Sequence, residues 1–342
     1  MFGFRLCALL ALAVLLGACR SVPPEEPLQR YEFAHPAMGT LFTITLYAPD
    51  SASAEAAARA AFKRVEALED ILSDYQADSE LNRLRDQPYG RPVPVSAELF
   101  DVLQRAQRTA ELTDGAFDPT IGPYVRLWRF ARKRHVLPTP QEIAEARAAV
   151  GWQKLQLDPG AHTVTLLVPN MRLDVGSIGK GYAADQVLRL LKARGIDRAL
   201  VAASGDIAVG NPPPGKRGWK IAIAPFGGAT NSPPRIVLLR NAGISTSGDT
   251  EQFIVIDGVR YSHIVDPATG LGLTRRIQAT VIGPDATTTD CLDTAVSLLG
   301  VQRGLALIES WPGTSALIVT EEDGQTHTFT SRRFPKSSPT RE

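Results

Sequence analysis

One run of nine residues, Asp174-Val-Gly-Ser-Ile-Gly-Lys-Gly-Tyr182, restricts the fold more than any other stretch of the chain. Residues 171–174 read as a strand leading into it, and the apolar periodicity beyond it predicts a helix to about Arg194. Glycines let backbone pass close to a neighbour, and a helix N-terminus offers unpaired N–H groups to an anion. Lys180 adds a cation at the same corner. Two readings stand: a site for a phosphate-bearing ligand, or a tight strand-to-helix turn with a solvated lysine. No Ser or Thr follows Lys180, so this is not a Walker A loop, and the spacing does not match G-x-G-x-x-G.

Short strands and helices surround this corner. Residues 41–47 alternate apolar side chains with Thr, as a half-buried strand does. Residues 53–72 place Ala60, Ala61, Val65, Leu68 and Leu72 on one helical side, and 96–113 form a second helix capped by Ser96. Residues 114–123 are too rich in Gly and Pro for a regular element. A short helix is expected over 141–150, and a hairpin over 155–157 and 163–166 around Asp158-Pro159-Gly160. Further strands are expected over 199–203, 219–224, 235–239, 251–256, 259–264, 278–282 and 315–320. Helices are expected over 286–299 and 301–309. The class is α+β, with mostly antiparallel sheets and packed helices. One body is expected over 35–330, followed by a loose polar tail over 331–342.

Apolar residues make up 44% of the chain and charged ones 21%, an ordinary globular composition. The formal net charge is +1, and Arg5 is the only charged residue before Cys19, so the remainder is neutral. The basic footprint of a nucleic-acid binder is missing. Arg5, the apolar run Leu6 to Leu16 and the box Leu16-Gly17-Ala18-Cys19 read as an export signal over 1–18, too short for a membrane span. The box resembles a bacterial lipoprotein cleavage site, in which Cys19 carries the lipid; an ordinary secretory signal is the competing reading. Residues 19–34 then form a tether. The expected address is the periplasmic side of a bacterial membrane, the inner one. Cys7 leaves with the signal and Cys291 stands alone, so neither an intrachain disulfide nor a Cys-based metal site is expected.

Two more stretches could carry chemistry. In Thr287 to Ala295, Asp290 and Thr294 share a helix face, with Ser297 extending it. A carboxylate and a hydroxyl so placed can hold a hard cation. Acidic residues complementing a helix N-terminus are the plainer reading. His263, at a strand end before a Pro-x-x-Gly turn, can act as a base near neutral pH or simply bond loop backbone. The five His residues form no ligand-spaced pair, and no Gly-x-Ser-x-Gly elbow occurs.

Taken in order, these stretches resemble the ApbE family of FAD:protein FMN transferases. The matching pieces are Met38-Gly39-Thr40, Leu72-Ser73-Asp74-Tyr75, Asp78-Ser79-Glu80-Leu81, Gly115-Ala116-Phe117-Asp118 and Gly122-Pro123. They continue with Asp174 to Tyr182, Ser204-Gly205-Asp206, Ile244 to Asp249, Ser262 to Pro267 with Gly270, and Thr289 to Ala295. The resemblance implies a T-fold-like body in two lobes around a central cleft. It implies that FAD binds with Mg²⁺ and that a Thr or Ser hydroxyl of a client protein takes FMN while AMP leaves. It further implies that Asp290, Thr294 and the main-chain carbonyl of Ser177 hold the metal. His263 would be the general base, with Asp290 also catalytic. Met38 and Tyr75 would pack on the cofactor rings, or else serve the core. Ala116, Phe117, Asp118, Asp174, Lys180 and Ile264 would complete the cofactor site. The implied partners are subunits of membrane redox complexes. A Mg²⁺-dependent FAD pyrophosphatase and a lipid-anchored flavin binder without turnover are the other readings. Ser204, Thr289 and Thr250 depart from the usual family pattern.

Overall fold

The computed structural model describes residues 27–228, 233–248 and 253–336. The expected export signal, Cys19, Asp249, Thr250, the first two residues of the expected 251–256 strand and the tail from 337 lie outside them.

An eight-stranded sheet runs through the centre, in the order Gln29–Ala37, Thr40–Ala48, Ala199–Ala203, Asp206–Val209, Ala242–Gly248, Arg276–Gly283, Ser315–Glu322, Gln325–Thr330. Every neighbouring pair is antiparallel. Seven helices accompany it among the described residues: α1 (Ser51–Leu72), α2 (Glu80–Arg85), α3 (Ala97–Leu112), α4 (Gly122–Arg134), α5 (Pro140–Arg147), α6 (Gly179–Ala193) and α7 (Ala286–Ser310).

The strand period decides which core each side chain enters. Ile277, Ala279 and Val281 point into the main core beneath α1, α6 and α7, whereas Ile282 faces the opposite side. There a two-stranded ribbon, Trp219–Ile223 with Arg235–Leu239, covers the sheet through Trp219, Ile221 and Val237. Both faces are therefore buried, and the Arg276–Gly283 strand is apolar along most of its length. A third cluster joins Tyr124 and Trp128 of α4 to Ile254, Ile256 and Tyr261 of the hairpin Phe253–Ile256/Val259–Ser262.

Several expectations change. Residues 171–174 belong to no strand; the segment is extended and tied by Asp174 N–H to the Pro119 carbonyl at 2.8 Å. The tether ends before residue 34, because Gln29–Ala37 pairs along its whole length with Thr40–Ala48. The tail is ordered at least to residue 336: Phe334 is buried, and Ala316 N–H donates to Ser331 Oγ at 2.9 Å. Gly122-Pro123 opens α4 instead of breaking structure, since Pro fits the first helical turn. The helices expected over 286–299 and 301–309 are the two arms of α7, bent at Gly300 (φ 76°).

Candidate active site

Three pieces of backbone meet at the glycine-rich corner. The first is the tip of the hairpin joining Gln29–Ala37 to Thr40–Ala48. Met38 (φ 51°) and Gly39 (φ 70°) both adopt left-handed backbone, as a two-residue hairpin turn of this kind requires. A methionine there is conformationally unfavourable. Its Cε methyl carbon lies 3.7 Å from where a Cβ on Gly179 would be, so the expected Met38 sits directly on the corner.

The second piece is the corner itself. Gly176 N–H donates to Asp174 Oδ1 at 2.9 Å, and Gly179 N–H to the Val175 carbonyl at 2.8 Å, fixing the bend that carries Ser177. The third is the start of α7. Gly181 N–H donates to Asp290 Oδ2 at 2.9 Å. A Cβ on Gly181 would fall 2.2 Å from the Ala286 carbonyl oxygen, so only glycine lets α6 and α7 approach this closely. Asp185 of α6 accepts from Ala286 N–H and Thr287 N–H at 3.0 and 2.8 Å, closing the N-terminus of α7. Thr289 has a partner in Ser245 Oγ at 2.8 Å, which explains a hydroxyl there.

Lys180 lies between carboxylates. Its Nζ donates to Asp206 Oδ2 and stands 3.6 Å from Asp290 Oδ1. Asp206 is delivered by the turn Ser204-Gly205, where Ser204 keeps the left-handed conformation (φ 58°) despite its side chain. Burial alone would lower the Lys180 pKa, but Asp290 and Asp206 outweigh it and hold the ammonium firmly charged. Burial and Asp206 push Asp290 up to about 7, against Lys180 and the Gly181 N–H. Burial, Asp206 and Asp290 push Asp293 well above the carboxylate range. Ionised, the cluster sets one positive charge against three negative ones. A buried surplus of carboxylate charge suits a hard cation. Asp290 and Thr294 are both buried here, and the bend carrying Ser177 runs directly into α6, whose Gly181 N–H meets Asp290. Among the described residues no group of three His, Cys, Asp or Glu side chains forms a ready-made metal cage; the expected ligand set contains only one carboxylate.

On the other side of Asp174, Tyr75 is 79% exposed. Ser73 Oγ accepts from Tyr75 N–H and Gln76 N–H at 3.3 and 3.2 Å, which gives this loop its shape. Arg129 of α4 stacks on the Tyr75 ring, 3.9 Å from its centroid, and is ion-paired with Asp74 and, at 3.8 Å, with Asp174. Burial and Asp74 raise Asp174 to about 6, opposed by the Gly176 N–H and Arg129.

The Ala116-Phe117-Asp118 loop approaches through Pro119, which holds Asp174. Asp118 Oδ1 accepts from Thr120 N–H and Oγ1 at 2.8 and 2.7 Å, and Oδ2 from Trp152 N–H at 3.0 Å. Its carboxylate therefore staples the loop that carries Ala116 and Phe117. Phe117 is buried, and its N–H donates to Thr113 Oγ1. His263 lies half-buried on a bend closed by Ser262 N–H to the Leu273 carbonyl (2.7 Å) and Leu273 N–H to the Ile264 carbonyl (2.9 Å). Ile264 beside it is buried.

Arg129 and the Lys180–Asp206 pair escape sequence reading; the second had a faint signal in the turn before Asp206, the first none. Fold and site together define an α+β enzyme with a charged, glycine-lined centre next to an exposed aromatic platform. The chain belongs to the ApbE family, whose model matches residues 38–318. It is 33% identical over 328 residues to an FAD:protein FMN transferase of Klebsiella pneumoniae, with 94% of each chain covered. It is 32% identical to one of Treponema pallidum, with 92% and 91% covered. The flavin transferase ApbE from Vibrio cholerae superposes with a TM-score of 0.81 at 31% identity, covering 90% of this chain and 98% of that one. The Pseudomonas stutzeri flavinyl transferase ApbE gives 0.79 at 32% identity, covering 90% and 96%.

Proposed function

We propose that this protein transfers FMN from FAD to a Thr or Ser hydroxyl of a client protein and releases AMP. The carrying observation is the Lys180–Asp206–Asp290 cluster bonded to the glycine corner, in a chain that matches FAD:protein FMN transferases over nearly its full length. Phosphoryl transfer needs positioning and charge neutralisation more than covalent chemistry from the protein. Asp290, Thr294 and the Ser177 carbonyl would hold Mg²⁺, which when bound supplies charge neutralisation on the diphosphate. Lys180, kept charged, orients phosphate oxygens. Tyr75 and Met38 offer flat and soft apolar contacts to the rings. Asp174, when ionised, accepts hydrogen bonds from cofactor hydroxyl or amide groups.

His263 removes the proton from the client hydroxyl. That oxygen bonds to the FMN-side phosphorus, the phosphoanhydride bond breaks, and AMP departs with its electron pair. The clients would be subunits of membrane redox complexes, reached from the periplasmic side by an enzyme anchored through Cys19.

The test is to incubate the body lacking its signal with FAD, Mg²⁺ and a client domain, and to read the products by mass spectrometry. Covalent FMN on the client supports the proposal. Free FMN and AMP alone would make the protein an FAD pyrophosphatase, and unchanged FAD would leave a flavin binder.

A further inference from the structure

Arg129 lies outside every stretch singled out in the sequence, yet it touches two of the residues expected to meet FAD. Its guanidinium covers one face of the Tyr75 ring at 3.9 Å from the centroid. The same group is ion-paired with Asp74, next to that tyrosine, and lies 3.8 Å from Asp174. Tyr75 is 79% exposed, and an aromatic so exposed is free to turn unless something holds it. A planar guanidinium can hold it, because it stacks and forms ion pairs at once. The ring's second face stays open for another flat partner. Asp174 in turn fixes the Gly176 N–H and, through its own N–H, the Pro119 carbonyl. One side chain from α4 thus ties the loop after α1 to the bend before α6.

We infer that Arg129 is a positioning residue for FAD, clamping the Tyr75 ring and the Asp174 carboxylate in the arrangement that receives the flavin. This rests on the reading of the site as an FAD site, though not on the transfer step. A ring already held in place loses less freedom when the ligand stacks, and that saving appears in affinity. Lys in place of Arg keeps a charge for Asp74 and Asp174 but offers no planar face.

The experiment measures quenching of bound flavin fluorescence, the FAD dissociation constant, and KM and kcat for transfer. The variants are Arg129→Ala, Arg129→Lys, Tyr75→Ala and the Arg129→Ala/Tyr75→Ala pair, each with its thermal midpoint. Arg129→Ala is expected to raise the dissociation constant and KM for FAD about tenfold, with kcat within about twofold and quenching reduced. Arg129→Lys should recover part of the affinity without the quenching. In the Tyr75→Ala background, Arg129→Ala should cost clearly less than it does alone. Wild-type affinity and quenching in Arg129→Ala would overturn the inference, as would fully independent effects in the pair. A lowered thermal midpoint with both flavin readouts intact would reduce Arg129 to a structural ion pair. Should Arg129→Ala not fold, full quenching in Arg129→Lys would be equally fatal. Quenching and dissociation are readable even if no client accepts FMN, so a failure of the transfer reading shows separately.

Discussion

The carboxylate of Asp290, on α7, accepts a hydrogen bond from the backbone N–H of Gly181, in the first turn of α6, at 2.9 Å. The two helices meet there with no room between them. A methyl at residue 181 would sit 2.2 Å from the Ala286 carbonyl and 2.8 Å from Asp290 Cβ. Neither atom belongs to a flexible tip, so the helices themselves must separate. Gly181→Ala is expected to cost about 3 kcal/mol, read as a lower denaturant midpoint, and to abolish transfer even where the protein folds. An unchanged midpoint would show that the crossing is looser than it looks.

Asp290→Asn keeps an oxygen for the Gly181 N–H and removes only the charge. It should fold at least as well as the parent without ligand, because Asp206 and Asp293 lose a repelling neighbour. Its turnover at limiting Mg²⁺ should fall about a hundredfold or more. Rates equal to wild type at low Mg²⁺ would remove Asp290 from the proposed ligand set.

His263→Ala separates the base from the binding site. General-base catalysis contributes typically about 10²–10⁴-fold, so kcat should drop by that order while FAD affinity changes little. A variant that loses affinity but transfers at the parental kcat once saturated would contradict the assignment.

Asp174 gives a pH dependence whose sign can be worked out. Its pKa is raised to about 6 in the folded protein, against an ordinary value of 3.8. The folded protein therefore holds this proton more tightly than the unfolded chain does. Stability is fully present below the unfolded value and is lost as pH rises towards about 6, by on the order of 2–3 kcal/mol. Asp174→Asn removes the loss. Without FAD, the variant should match the parent near pH 3.5 and melt higher above pH 6, as thermal midpoints across that range will show. Its FAD affinity should fall, since the parent binds best once Asp174 is ionised. Equal midpoints at pH 8 would mean the carboxyl is not raised.

The glycine corner and α7 are legible in the sequence because their signals are local: closely spaced glycines, acidic residues near a helix start and an apolar periodicity. The α+β class followed from the succession of strands. Arg129 was invisible for a physical reason. It acts through Asp74, 55 residues away, on a helix whose Gly122-Pro123 start looks like a break. The outer strands Gln29–Ala37 and Gln325–Thr330 escape the reading because edge strands here are largely exposed, and the inward apolar side of the first rests on Tyr31, Phe33 and Ala37 alone. Asp118 shows the converse. The motif gave no sign of its local role, in which Thr120 and Trp152 donate to its two carboxylate oxygens. Residue type alone gives half of that role, since Asp readily bonds backbone two residues on.

Ser204 offers a last test, because its cost has two opposing parts. It holds φ 58° in the two-residue turn that presents Asp206 to Lys180. Left-handed backbone costs a non-glycine residue about 1–2 kcal/mol. Replacing it with glycine removes that strain but gives the unfolded chain more freedom, worth about 0.4–1 kcal/mol in the other direction. Ser204→Gly should therefore gain about 0.5 kcal/mol net, seen as a small rise in denaturant midpoint at constant slope. The Lys180–Asp206 pair depends on where the turn puts Asp206, and the turn's shape is unchanged, so FAD affinity should stay within about twofold. A destabilised Ser204→Gly would mean that the serine hydroxyl contributes more than its backbone costs.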